Sequence, residues 1–131
     1  MGIPGEGAGD RSCAAVAYGG AGTETDNYAG MGLILADGAP YDASSYSGIR
    51  VRIESDFDVE LRIKTVGPLY YAAVLEGGTV GQSVLRQAAF ASMTPLNPAA
   101  APLDLTEVIE IQFEPVSVLG YGYSVHLVEF Y

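Results

Sequence analysis

Four of the six basic residues of this chain, Arg50, Arg52, Arg62 and Lys64, stand at every second position of two short segments, Ile49-Arg50-Val51-Arg52-Ile53-Glu54 and Val59-Glu60-Leu61-Arg62-Ile63-Lys64. Guanidinium and ammonium groups are pure hydrogen-bond donors, and carboxylates and amides supply the complementary acceptors. Such a row has two uses: an ion-pair ladder in water, or a set of planar polar groups that match the hydroxyl pairs of a sugar. Gln112 and His126 are the further polar side chains expected on this surface, with Glu54, Glu60 and Glu110 among them.

Acid–base and nucleophilic chemistry has far less to work with. His126 is the only histidine, no Gly-x-Ser-x-Gly elbow is present, and spacing singles out no pair among the sixteen acidic residues. No His/Cys cluster suits zinc, Asp56-Phe57-Asp58 is too short for a calcium loop of EF-hand type, and Gly5-Glu6-Gly7-Ala8-Gly9 lacks the Lys-Ser/Thr of a phosphate loop. The expectation is a protein that is not an enzyme.

Nine tyrosines offer a different chemistry, because a phenol ring can lie on the apolar face of a pyranose while its hydroxyl hydrogen-bonds. Tyr70 and Tyr71 are adjacent in an extended segment, so they point to opposite faces, and one of them is a candidate stacking partner. Tyr121 and Tyr123, flanked by Gly120 and Gly122, share a side if extended and could form a platform. The competing use of these rings is to cap the core or mediate contacts between chains.

The elements that must position these groups are strands. Period-two alternation at 49–54 and 59–64, with Ser55-Asp56-Phe57-Asp58 between, reads as a hairpin whose polar faces lie side by side, crowding the four basic residues onto one surface. Further strands are expected at 12–18, 31–36, 70–75, 83–87, 108–114 and 124–130, with single helical turns at 88–93 and 104–107. In the last of these turns Asp104 is the expected N-cap. The proline-punctuated run 95–103 has the length to cross from one sheet to another. About eight short strands separated by turn residues define an all-β, antiparallel β-sandwich, with residues 1–11 as an extended arm and 12–131 as one domain.

Charge limits the partners. A net charge of −10 repels nucleic acid and anionic membranes, and no stretch approaches the ~18 apolar residues of a membrane span. Cys13 has no second cysteine to pair with, and its small apolar neighbours suit a buried thiol. The first residues show no basic or apolar region of a signal peptide, so an extracellular role implies a module of a secreted parent.

The order of segments resembles the galactose-binding-like jelly-roll domains found as non-catalytic carbohydrate-binding modules and in the complex I intermediate-associated family. The shared element is D-x-S-x-Y-x-G-I leading into a strand, here Asp42, Ser44, Tyr46, Gly48 and Ile49, followed by segments similar to VELRIK, YYAAV, QSVLRQAAF, PLDLTEVIEIQF and VHLVEF. Asp42 and Ser44 are fold residues that set a turn, Tyr46 covers the end of the core, and Gly48 supplies backbone freedom. The resemblance implies a jelly roll that binds a neutral or cationic glycan, extracellular or at the cell surface, beside a parent enzyme domain. Its sheet face would be Arg50, Arg52, Arg62, Lys64 and Gln112, with Tyr70 or Tyr71, Tyr121, Tyr123 and His126. No cofactor is expected. Structural calcium sites occur in such domains, but this chain has His126 and Leu127 where an acidic pair is common, and it has no tryptophan. The other reading, an assembly subunit of a surface, filament or capsid, rests on the Gly-rich arm and the absent leading strand, which suit strand addition and self-association.

Overall fold

The computed structural model describes residues 15–17, 31–79, 81–116 and 123–131. Expectations for the arm at 1–11, for Cys13 and for Tyr121 lie outside them. The strands are β1 (Ala15–Ala17), β2 (Met31–Ile34), β3 (Gly48–Glu54), β4 (Val59–Thr65), β5 (Leu69–Leu75), β6 (Val84–Ala89), β7 (Thr94–Pro95), β8 (Val108–Pro115) and β9 (Tyr123–Phe130). All eight expected strands are present, with ends shifted by up to three residues, and the two expected turns are short 3-10 segments at Phe90–Ser92 and Leu105–Glu107. Among the described strands only the two-residue β7 went unread.

Two antiparallel sheets form a jelly-roll sandwich: sheet A in the order β1-β9-β3-β6 and sheet B in the order β2-β8-β4-β5-β7. Alternation explains the core between them. Ile49, Val51 and Ile53 of β3 face Val59, Leu61 and Ile63 of β4, all fully buried. Phe130 closes one end of the core, with Tyr41 and Tyr46 each stacked on it at 5.3 Å, so Tyr46 covers the core end as its position in the sequence motif implies.

The hairpin expected from β3 and β4 does not exist. β3 pairs with β6 and β9, whereas β4 pairs with β5 and β8. Residues 55–58 form an arch that carries the chain from one sheet to the other. Ser55 is buried, its hydroxyl donates to the Phe57 carbonyl at 2.7 Å, and the Phe57 ring meets Tyr123 edge-on at 6.1 Å. An apolar ring in the middle of the connection draws it across the core end instead of back alongside β3. The hairpin that does form joins β4 to β5 through Val66-Gly67-Pro68, where Gly67 has φ +124.

Two further expectations are corrected. The run 95–103 does not change sheets, since β7 and β8 both belong to sheet B; the change occurs at the 3-10 turn Phe90–Ser92, between β6 and β7. Nor does Gly48 serve through its backbone angle, because it is absent from the positive-φ glycines. A Cβ there would collide with the Ala88 carbonyl and the Tyr131 ring, so Gly48 permits close packing.

Candidate functional site

Sheet B presents the more ordered polar face. In β4 the inward residues leave Glu60, Arg62 and Lys64 pointing outward, and the register with β8 sets them opposite Glu114, Gln112 and Glu110 respectively. Arg62 donates to Glu60 at 2.5 Å and to Glu114 at 3.2 Å, while Lys64 lies 3.9 Å from Glu110. The ion-pair ladder is therefore real, and each half-exposed pair is worth roughly 0.2–1 kcal/mol. Its second effect is to hold the Arg62 guanidinium in one orientation.

The same register assembles a central row of Gly32, Gln112, Arg62, Ala72 and Thr94, one residue from each strand of the sheet. Strand spacing makes that row about 19 Å long. Its two planar polar groups lie between small residues, with Lys64, Glu110 and Tyr70 along one side and Glu60, Glu114 and Val74 along the other. A Cβ at Gly32 would collide with the Glu110 carboxylate, so this glycine makes room for a charged neighbour on the face. Tyr70 stands at the edge with Lys64 Nζ 5.8 Å from its ring centre.

Arg50, Arg52 and His126 are elsewhere. They project from the outer face of sheet A, on the far side of the sandwich from Arg62, Lys64 and Gln112. The single surface carrying all four basic residues is thereby excluded. Arg50 pairs with Glu129 at 2.9 Å and lies 5.1 Å from the ring centre of Tyr131; His126 Nε2 is 3.6 Å from Glu54. Arg52 is exposed and forms no ion pair among the described residues. His126 also occupies a register shift opposite Arg52 and Ile53, a β-bulge that lets Val125 and Val128 both face inward. That extra residue is why the alternation of the last strand breaks.

The tyrosines divide cleanly. Tyr71 is buried and its hydroxyl donates to the Ala101 carbonyl, and Tyr123 is buried and its hydroxyl donates to the Phe113 carbonyl at 3.2 Å. Both are core residues, which removes Tyr71 and Tyr123 from the stacking candidates and, among the described residues, leaves Tyr70.

At the margin of the sandwich a cleft of about 550 Å³ opens between β5 of sheet B and β6 of sheet A. Glu60, Ala72, Val74 and Thr94 reach it from the sheet B face, and Gln87 and Tyr131 from the other side. Of these, Glu60 and the ring of Tyr131 were among the polar and tyrosine candidates of the sequence, whereas Ala72, Val74, Thr94 and Gln87 were not, because neither strand's segment indicates which strand lies across the margin. Among the described residues no group of three or more His, Cys, Asp or Glu side chains is placed to hold a metal.

No protein-family model matches the chain, and no curated protein matches it. Among solved structures, the fold is similar to the family 11 carbohydrate-binding module from Clostridium thermocellum in complex with a β-1,3-1,4-mixed-linked tetrasaccharide, with 18% identity over 91% of this chain and 82% of that one and a TM-score of 0.66. It is equally similar to the family 11 module of the cellulosomal cellulase Lic26A-Cel5E of the same organism, with 17% identity over 91% and 81% and a TM-score of 0.67. A third likeness, to PfGH50B, has 11% identity over 89% of this chain but only 22% of that one, with a TM-score of 0.63. At these identities the likeness shows a shared jelly-roll β-sandwich fold.

Proposed function

We propose that this protein is a non-catalytic carbohydrate-binding module that holds a neutral polysaccharide on the outer face of sheet B. The observation that carries the reading is the Gln112–Arg62 centre of that face: a primary amide beside a guanidinium anchored by Glu60 and Glu114, flanked by the small residues Gly32, Ala72 and Thr94. Pre-orientation of the guanidinium reduces the ordering cost of binding. Lys64 donates a further hydrogen bond, and Tyr70 is, among the described residues, the candidate ring turned outward beside the row, available to stack on a sugar.

The charge balance selects the ligand class. Arg62 and Lys64 are offset by Glu60, Glu110 and Glu114, so the face attracts hydroxyls without attracting anions, and the net charge of −10 disfavours acidic polysaccharides. The tetrasaccharide bound by one structural neighbour makes mixed-linked β-glucan the first ligand to try, and the cellulosomal origin of the other suits an extracellular module beside a catalytic domain. Calorimetric titration against a panel of neutral plant, algal and bacterial polysaccharides should find one that binds. Arg62→Ala and Gln112→Ala should each weaken it about tenfold or more, in line with a lost hydrogen bond to a charged or planar group. Failure of every polysaccharide to bind would overturn the reading.

A further inference from the structure

The marginal cleft and the sheet B row are not separate features. Ala72 and Thr94, the last two positions of the row, also line the cleft, as does Glu60 beside Arg62. The polar row therefore runs from Gln112 through Arg62 to Ala72 and Thr94 at the cleft, where Tyr131 and Gln87 form the far wall.

The cleft has the chemistry of a sugar site. Val74 and Leu96 are 58% and 44% exposed there, which supplies apolar surface for the C–H face of a pyranose, while Gln87, Thr94 and Glu60 bring an amide, a hydroxyl and a carboxylate. Backbone groups add to these. β7 pairs only with Tyr71 and Ala72 of β5. The Leu96 N–H donates to the Tyr70 carbonyl at 2.9 Å, so by strand alternation the backbone groups of Val74 also face that edge, beyond the reach of β7. Sugar hydroxyls, which both donate and accept, can use a backbone N–H and C=O together.

The far wall is held in place. Arg50 lies over the ring of Tyr131, the Tyr131 N–H donates to the Gly48 carbonyl at 3.0 Å, and the ring occupies the space that a Cβ at Gly48 would need. At the other end of the margin Arg86 donates to the carbonyls of Glu76 and Gly77, closing the gap between β5 and β6. The cleft is thus bounded by an anchored Tyr131 on one side and by the Arg86 bridge at its end.

Resting on the sheet B reading, we infer that the glycan chain lies across the strands and continues into this cleft, where Gln87 and Thr94 bind a sugar unit beyond those held by Arg62 and Gln112. Chain-length preference is then set at the sheet margin, and the residues that set it come from both sheets.

The test compares oligosaccharides of two lengths, a disaccharide and a tetrasaccharide cut from the polysaccharide that binds most tightly, titrated by calorimetry into wild type, Gln87→Ala, Thr94→Val and Arg62→Ala. Both cleft residues are exposed, so their variants should keep the wild-type thermal midpoint. The expected result is about a fivefold loss of tetrasaccharide affinity in Gln87→Ala and Thr94→Val with less than a twofold change for the disaccharide, and a loss for both ligands in Arg62→Ala. If the cleft variants bind the tetrasaccharide as wild type does while Arg62→Ala loses it, the cleft assignment is wrong and the sheet B reading stands. If Arg62→Ala binds both ligands as wild type does, the sheet B reading fails as well.

Discussion

Asp42 accepts hydrogen bonds from the backbone N–H and the hydroxyl of Ser44, at 2.9 and 2.5 Å, and Asp104 repeats the arrangement with Thr106 at 3.0 and 2.6 Å. The side-chain bond, then the backbone bond, holds each carboxyl below the ordinary aspartate range. The two turns sit side by side, joined by the Ala43 N–H to the Leu105 carbonyl, and the Asp42 charge opposes part of the lowering at Asp104. Because the folded pKa values are depressed, the stabilisation is complete above the unfolded value of about 3.9 and is lost as pH falls through the folded values. Ser44→Ala should raise the Asp42 pKa toward that ordinary value, read by carboxyl NMR titration, and its stability deficit should shrink below pH 4. An Asp42 titration that does not move on this substitution would show that the Ser44 bonds do not set it. These turns were legible in the residues alone, since an Asx turn needs only an Asp whose side chain can accept from the backbone N–H two positions on, and the Ser44 and Thr106 hydroxyls add to it.

At the scale of strands, close approach matters more than backbone freedom. Gly48 opens β3 beneath the Tyr131 ring and beside the Ala88 carbonyl, and a methyl group there has nowhere to go without moving backbone. Gly48→Ala should therefore destabilise the protein by about 1–3 kcal/mol, measured by denaturant unfolding, despite an ordinary φ at this position. Loss of the Tyr131 position should also weaken tetrasaccharide binding in the same variant. The bulge at His126 belongs to the same scale. The sequence suggests Val125, Leu127 and Phe130 as the inward set, with Val128-Glu129-Phe130 breaking the alternation; the bulge instead pairs Leu127 with the outward Arg52 and buries Val128, and its site depends on β3 lying alongside.

Across the whole molecule, the division of the basic residues between two faces is the fact that most alters the functional picture. Arg52 on sheet A and Arg62 on sheet B are separated by the core, so Arg52→Ala should leave polysaccharide affinity unchanged while Arg62→Ala lowers it, as compared by calorimetry under one salt condition. Phe130 ties the core end together, packed by Tyr41, Tyr46 and Phe90, and Phe130→Ala should cost about 3–5 kcal/mol in denaturant unfolding. From the sequence alone followed the all-β class, eight of the nine described strands, the inward faces of β3 and β4 and the Asp42–Ile49 anchor, because side-chain alternation and turn chemistry are local properties of the chain. Tertiary structure decided which strands are neighbours. The inward pattern of β3 and β4 is the same whether the second strand returns beside the first or arches over to the opposite sheet, and a four-residue connection permits both. Burial of Ser55 and packing of the Phe57 ring against the core end chose the arch. That choice put Arg62 beside Gln112, moved Arg50 and Arg52 to the other face, and brought Gln87 and Thr94 to one cleft.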